Sequence, residues 1–221
     1  MTASDIKFYR AEGDDGGAID ENAEIVDGVL NNLMPDITAS DAEAGKTVYR
    51  KFFVKNASAS ETANSVVICL TAMTPGEDYA NIFPGTADDT TANMDDSKLY
   101  GIAKTTEELD RSTKKVTVTI EGGQDLTQRF AQDDKIVFVD ATSGARLAGA
   151  TVNAVDATSI TVNEDIPERI VLDGAYVCNA IDIGTLDAGA TTAAWVKLTV
   201  PSFCRPQEEP ADYTIPTVFF D

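Results

Sequence analysis

The sequence predicts a mainly β fold: a β-sandwich interrupted by an inserted small β-barrel, with few short helices. Three observations point there. Short apolar runs are separated at regular intervals by clusters of Gly, Asn, Asp, Ser and Thr, the pattern of an all-β sandwich or barrel. Two distant stretches, "AGKTVYRKFFVKN" (44–56) and "LDAGATTAAWVKLTVP" (186–201), share one grammar, an Ala-Gly turn followed by an apolar strand that closes at Asn56 or Pro201. Between them, residues 112–180 have a texture of their own, compact strands joined by turns such as "EGG", "TSG" and "VDATS".

In chain order, strands are expected at "IKFYRA" (6–11), "TVYRKFFVKN" (47–56), "SVVICLTAM" (65–73), "KKVTVTIE" (114–121), "KIVFVDA" (135–141), "ATVNAVD" (150–156), "SITVNE" (159–164), "AYVCNAIDIG" (175–184), "TAAWVKLTVP" (192–201) and "YTIPTVFF" (213–220). Each is rich in β-branched or aromatic residues and bounded by turn formers. The cleanest hairpin is "TVNAVDATSITVNE", with Val152, Val155, Ile160 and Val162 as its apolar positions and "DATS" (156–159) as its turn. The helical candidates are 19–33 and 97–110. In the first, Ile25, Val26, Val29, Leu30 and Leu33 recur at roughly helical spacing, interrupted by Gly28.

The repeated grammar suggests one discontinuous sandwich, residues 1–111 plus 181–221, with the barrel of residues 112–180 inserted at an exposed loop tip. Val48, Phe52 and Val54 in one strand, and Trp195, Leu198 and Val200 in the other, are then expected as the core of facing sheets. Trp195, the single tryptophan, is expected as a core anchor, because large aromatics favour burial. The apolar ends of the chain, 6–11 and 213–220, are expected either to complete this sandwich or to add to a neighbour's sheet.

Composition narrows the function. Apolar residues make up 43% and charged residues 24% of the 221, which suits a globular domain with a proper core. No apolar run approaches the roughly 20 residues of a membrane span, and "MTASDIKFYR" lacks the basic start and apolar segment of a secretory leader. Against 37 Asp and Glu stand 17 Lys and Arg, a net charge of −20, and there is no histidine. Binding to exposed nucleic-acid backbone needs the opposite sign, so direct nucleic-acid contact is not expected.

Without histidine, Ser-His-Asp and Cys-His catalysis are impossible, and a usual zinc site is excluded because Cys69, Cys178 and Cys204 form no paired motif. These three are expected as structural thiols. The adjacent acids Asp14/Asp15, Asp88/Asp89, Asp95/Asp96, Asp133/Asp134 and Glu208/Glu209 are expected as solvated loop residues. Calcium is the metal such loops would suit, but neither "EGDDGGAIDE" nor "TADDTTANMDD" has a calcium-loop spacing. No catalytic residue, cofactor or metal is expected, and the chain is read as a non-enzyme.

The segments Arg50–Asn56 ("RKFFVKN"), Val66–Ala72 and Ala188–Pro201 resemble the strands of an immunoglobulin-like module found in virion proteins of tailed bacteriophages. The resemblance covers about half of the chain and none of the barrel. It implies a structural subunit of the particle, made in the host cytoplasm and located in the virion, assembling as a homo-oligomeric ring with other virion proteins at the head–tail neck, collar or tail. Capsid decoration or a baseplate position are alternatives within that reading. Two rivals stand beside it. One is a glycan- or receptor-binding module using Tyr79, Phe83 and Tyr100. The other is a hydrolase with carboxylates in a cleft between sandwich and barrel.

Overall fold

The computed structural model describes residues 1–26, 29, 32–74, 76–106, 109–170, 174–205 and 216–221. It is 51% strand and 8% helix. The strands are β1 (Ile6–Gly13), β2 (Gly16–Glu24), β3 (Lys46–Asn56), β4 (Ala63–Leu70), β5 (Tyr79–Gly85), β6 (Ile102–Thr105), β7 (Lys115–Ile120), β8 (Lys135–Asp140), β9 (Arg146–Val155), β10 (Ser159–Val162), β11 (Ala175–Leu186), β12 (Thr191–Val200) and β13 (Pro216–Phe219). Two short helices, α1 (Ala39–Ala44) and α2 (Leu126–Arg129), join them.

One sheet has the order β2-β1-β3-β12-β5. The other runs β13-β4-β11-β6-β7-β10-β9-β8, and β8 returns to pair with β11. That return closes β11, β6, β7, β10, β9 and β8 into a six-stranded barrel, which removes the exposed edges an open sheet would leave. Every pairing is antiparallel.

Strand β11 belongs to both parts. Ala180 faces Lys135 of β8 on one edge and Cys69 of β4 on the other. Toward its start β11 is a barrel strand, and toward its end it pairs with β4 through irregular register around Asp182, Gly184 and Leu186. Gly184, at φ +73°, supplies the backbone freedom that such bulges need.

Period-two alternation sorts the apolar side chains into two main cores. Val116, Val118, Ile136, Phe138, Val152, Ile160, Val162 and Val177 fill the barrel, with Leu126 of α2 and Phe130 just after it packed onto them. Between the sheets, Val48, Phe52, Val54, Ile82, Ala194, Val196, Leu198 and Val200 meet Val66, Ile68, Leu70 and Ile181. Burying each large aliphatic or aromatic side chain stabilises by about 1.5–3 kcal/mol.

Several expectations are corrected. The two strands of shared grammar do not face each other. They are β3 and β12, paired side by side in one sheet from Lys55↔Thr191 to Lys46↔Val200. Their turns also differ. Asp41 lies in α1, whose N-cap Thr38 forms a capping box with it, whereas Asp187 starts a tight turn closed by Ala190 N–H to Asp187 O at 2.9 Å.

Trp195 is buried, but on the opposite face from Leu198, because an odd separation in a strand reverses the side. Among the described residues, neither helical candidate is a helix. Residues 19–24 belong to β2, with Ile19 packed near Tyr9 and Phe53, and Val26 and Val29 are exposed rather than part of a buried stripe. Asp27, Gly28, Leu30 and Asn31 lie outside the described residues. In the second candidate, residues 102–105 form β6, where tertiary pairing overrides local propensity; Glu107 and Glu108 lie outside the described residues. Both terminal strands pair within the chain, β1 with β3 and β13 with β4. No described helix is long and apolar enough to cross a membrane.

Candidate functional site

In β3, Phe52 and Val54 point into the core between the sheets, so Lys51 and Phe53 point to the outer face. That face is not left to solvent. The loop 86–99 and the tip of the β1–β2 hairpin fold over it, joined by Gly17 N–H to Asp89 O at 2.9 Å and Thr91 N–H to Asp15 O at 2.8 Å. Beneath them Trp195 stacks on Phe83, with ring centroids 6.1 Å apart and 3° between planes.

The Lys51 side chain is fully buried here. Its Nζ lies 2.6 Å from Asp89 Oδ1, and donates to Gly17 O at 2.7 Å, Ala87 O at 3.0 Å and Asp89 O at 3.1 Å. It also sits 4.9 Å from the Phe53 ring centroid and 5.9 Å from that of Trp195, within cation–π range. Asp89 Oδ2 accepts from Trp195 Nε1 at 3.1 Å and from Thr86 N–H at 3.0 Å. Burial pushes the Asp89 carboxyl up, but Lys51, Thr86 and Trp195 together outweigh it and hold the group below the usual aspartate range. The packing leaves no room at Gly16, φ +103°, where a Cβ would fall 2.6 Å from both the Trp195 ring and Asp89 O.

A second clamp holds the far end of the same loop. Asp96 Oδ2 accepts from Lys197 Nζ at 2.8 Å and from Tyr49 Oη at 3.1 Å. A third set lies where the barrel meets the sheets. Asp134 Oδ2 accepts from Lys98 Nζ at 2.7 Å and from Asn179 Nδ2 at 2.8 Å. Gln124 Oε1 accepts from Arg129 Nε at 2.7 Å and from Asn81 Nδ2 at 3.0 Å.

Three of the adjacent acid pairs therefore turn one member, Asp89, Asp96 or Asp134, onto a lysine, which corrects their reading as uniformly solvated. Asp14 pairs with Arg50 at 3.0 Å, and Glu208/Glu209 lie outside the described residues. Other aspartates open turns: Asp110, Asp140 and Asp156 each accept from backbone and hydroxyl groups two and three residues ahead.

The chemistry of these centres is fastening. A nucleophilic or basic lysine needs a free lone pair and access, whereas the hydrogens of Lys51 face a carboxylate and three carbonyls under closed packing. Among the glycan-platform candidates, Phe83 is buried under Trp195 and Tyr100 lies half-buried beneath Lys98, whose Nζ is 5.1 Å from its ring centroid. Cys69 and Cys178 are buried free thiols, and Cys204 is half-buried. The sequence carries a signal for Lys51: it alternates onto one strand face with the aromatic residues Tyr49 and Phe53. The chain matches no known family, no curated protein and no solved structure.

Proposed function

We propose that this chain is a non-enzymatic structural subunit of a tailed-phage particle, a ring component at the head–tail neck, collar or tail. In this reading the β3–β12 sheet and the β13-β4-β11 layer are an immunoglobulin-like sandwich, and the barrel is an insertion into it. One observation carries the proposal. Several residues of the resembling segments bind loops onto the sheet. Arg50, Lys51 and Lys197 hold Asp14, Asp89 and Asp96, and Trp195 bonds Asp89. Asn56 ends β3 by donating to Glu61 O at 2.8 Å and Leu186 O at 2.9 Å. Such fastening suits a part that presents the same rigid surfaces to repeated neighbours.

The test is the solution mass of the purified chain across a salt series, with negative-stain images of any large species. Rings of one fixed subunit number are expected. Because copies at net charge −20 repel each other, assembly strengthens as salt screens them. A monomer at every salt and concentration that binds surface glycans would replace this reading with the binding-module one.

A further inference from the structure

We propose that Glu121 is a proton-operated latch between the barrel and the rest of the fold: the neutral carboxyl fastens the joint, and its ionisation loosens it. Glu121 opens the 3-10 turn that follows β7 in the barrel, and it is buried, with 5% of its surface exposed. Its carboxyl meets the loop between β4 and β5, where Oε1 faces both the amide and the hydroxyl of Thr74.

The hydroxyl decides the protonation state. Thr74 Oγ1 has a single hydrogen but lies 2.5 Å from Asp78 O and 2.9 Å from Glu121 Oε1. A hydrogen given to the closer carbonyl leaves two oxygens facing each other at 2.9 Å, which is a hydrogen bond only if Glu121 supplies the proton. Burial agrees: it is the largest influence on the Glu121 carboxyl and pushes it up to about 7, against the pull of the Thr74 and Ala80 amides.

Apart from the Thr74 and Ala80 amides, the groups around Glu121 do not favour its charged form. Asp78, 8% exposed and on the same loop as Thr74, adds like charge. From β5 comes Tyr79, whose ring closes on Gly122. From β11 comes Tyr176, whose phenol is pushed up by its own burial first and then by Glu121. Arg129 of α2 lies near Tyr79, with its guanidinium engaged by Gln124. Ionising Glu121 therefore puts a second negative charge into a joint that holds Asp78, and it removes the proton shared with Thr74.

The test is a carbon-13 NMR titration of the Glu121 carboxyl in the unaltered chain, paired with hydrogen exchange of the Thr74 and Ala80 amides at several pH values. A midpoint near neutrality is expected. Protection of both amides, corrected for intrinsic exchange, should fall by about two orders of magnitude between weakly acidic and weakly alkaline pH. Glu121→Gln should hold that protection constant across the range. A carboxyl that titrates in the ordinary glutamate range overturns the proposal, and so does protection that follows pH equally in the chain and in Glu121→Gln.

Discussion

Replacing Lys51 by Met tests whether the outer face of the β3–β12 sheet is held as described. Methionine keeps most of the stem but removes the charge. Asp89 would then keep Thr86 N–H and Trp195 Nε1 while facing a methyl group on the Oδ1 side, and Gly17 O, Ala87 O and Asp89 O would lose the donor they share. Removing one partner of a buried ion pair costs about 3–5 kcal/mol, and the unmet carbonyls place this case toward the upper end. At about 2 kcal/mol per molar urea, the unfolding midpoint should drop by about 2 M. The assay is urea unfolding followed by tryptophan fluorescence. Trp195 is the only tryptophan and is bonded to Asp89, so its emission reports this site alone. Lys51→Met/Asp89→Asn should recover part of the loss, because Asn keeps a carbonyl for Trp195 without a buried charge. A loss below about 1 kcal/mol for Lys51→Met would refute the account, because such a lysine would be solvated.

Other outcomes follow from the same geometry. Trp195→Ala, at a site with no exposed surface, should cost about 3–5 kcal/mol by circular dichroism, whereas Trp195→Phe should lose little more than the Asp89 hydrogen bond, about 1 kcal/mol. On the acid side, the Ser112 and Thr113 groups hold Asp110 down to about 2, and Ser143 and Ser159 hold Asp140 and Asp156 low. These depressed carboxyls stabilise above the unfolded value of 3.8, and the benefit disappears as pH falls through their folded values. The thermal midpoints of Asp110→Ala and the unaltered chain should therefore differ at neutral pH and converge toward about pH 2. On the alkaline side the sign reverses. Glu121 stabilises fully below 4.5 and loses that contribution as pH rises through about 7, so Glu121→Gln should be the more stable form at pH 8 by about 2–3 kcal/mol. If the barrel is an insertion, removing residues 102–178 and joining Gly101 to Asn179, whose N–H already reaches Gly101 O at 2.9 Å, should leave a chain that unfolds cooperatively. A non-cooperative product would mean that the two parts stabilise each other.

The sequence by itself determined the β class, the hairpin of β9 and β10, and the longer strands, because alternation and turn chemistry are local and β-branched residues suit a pleat. It also contained the facts that place Trp195 and Lys51. Trp195 and Leu198 differ by an odd number, so they cannot share a face, and Lys51 lies on the same side as Phe53. Tertiary structure alone decided what covers that side, since loop 86–99 carries its clamps at Asp89 and Asp96 among acids that otherwise read as solvated. It alone decided that β3 and β12 are neighbours rather than facing layers, because ladder hydrogen bonds are made by backbone groups that every residue carries. The four residues of β6 and the bulged edge strand β2 have no local signal strong enough to announce them. They become strands only where β11 and β7, or β1, offer a partner. Glu121 shows the same division: its position after a strand is legible, but its burial against Thr74 and Asp78 arises from a contact 47 residues distant in the chain.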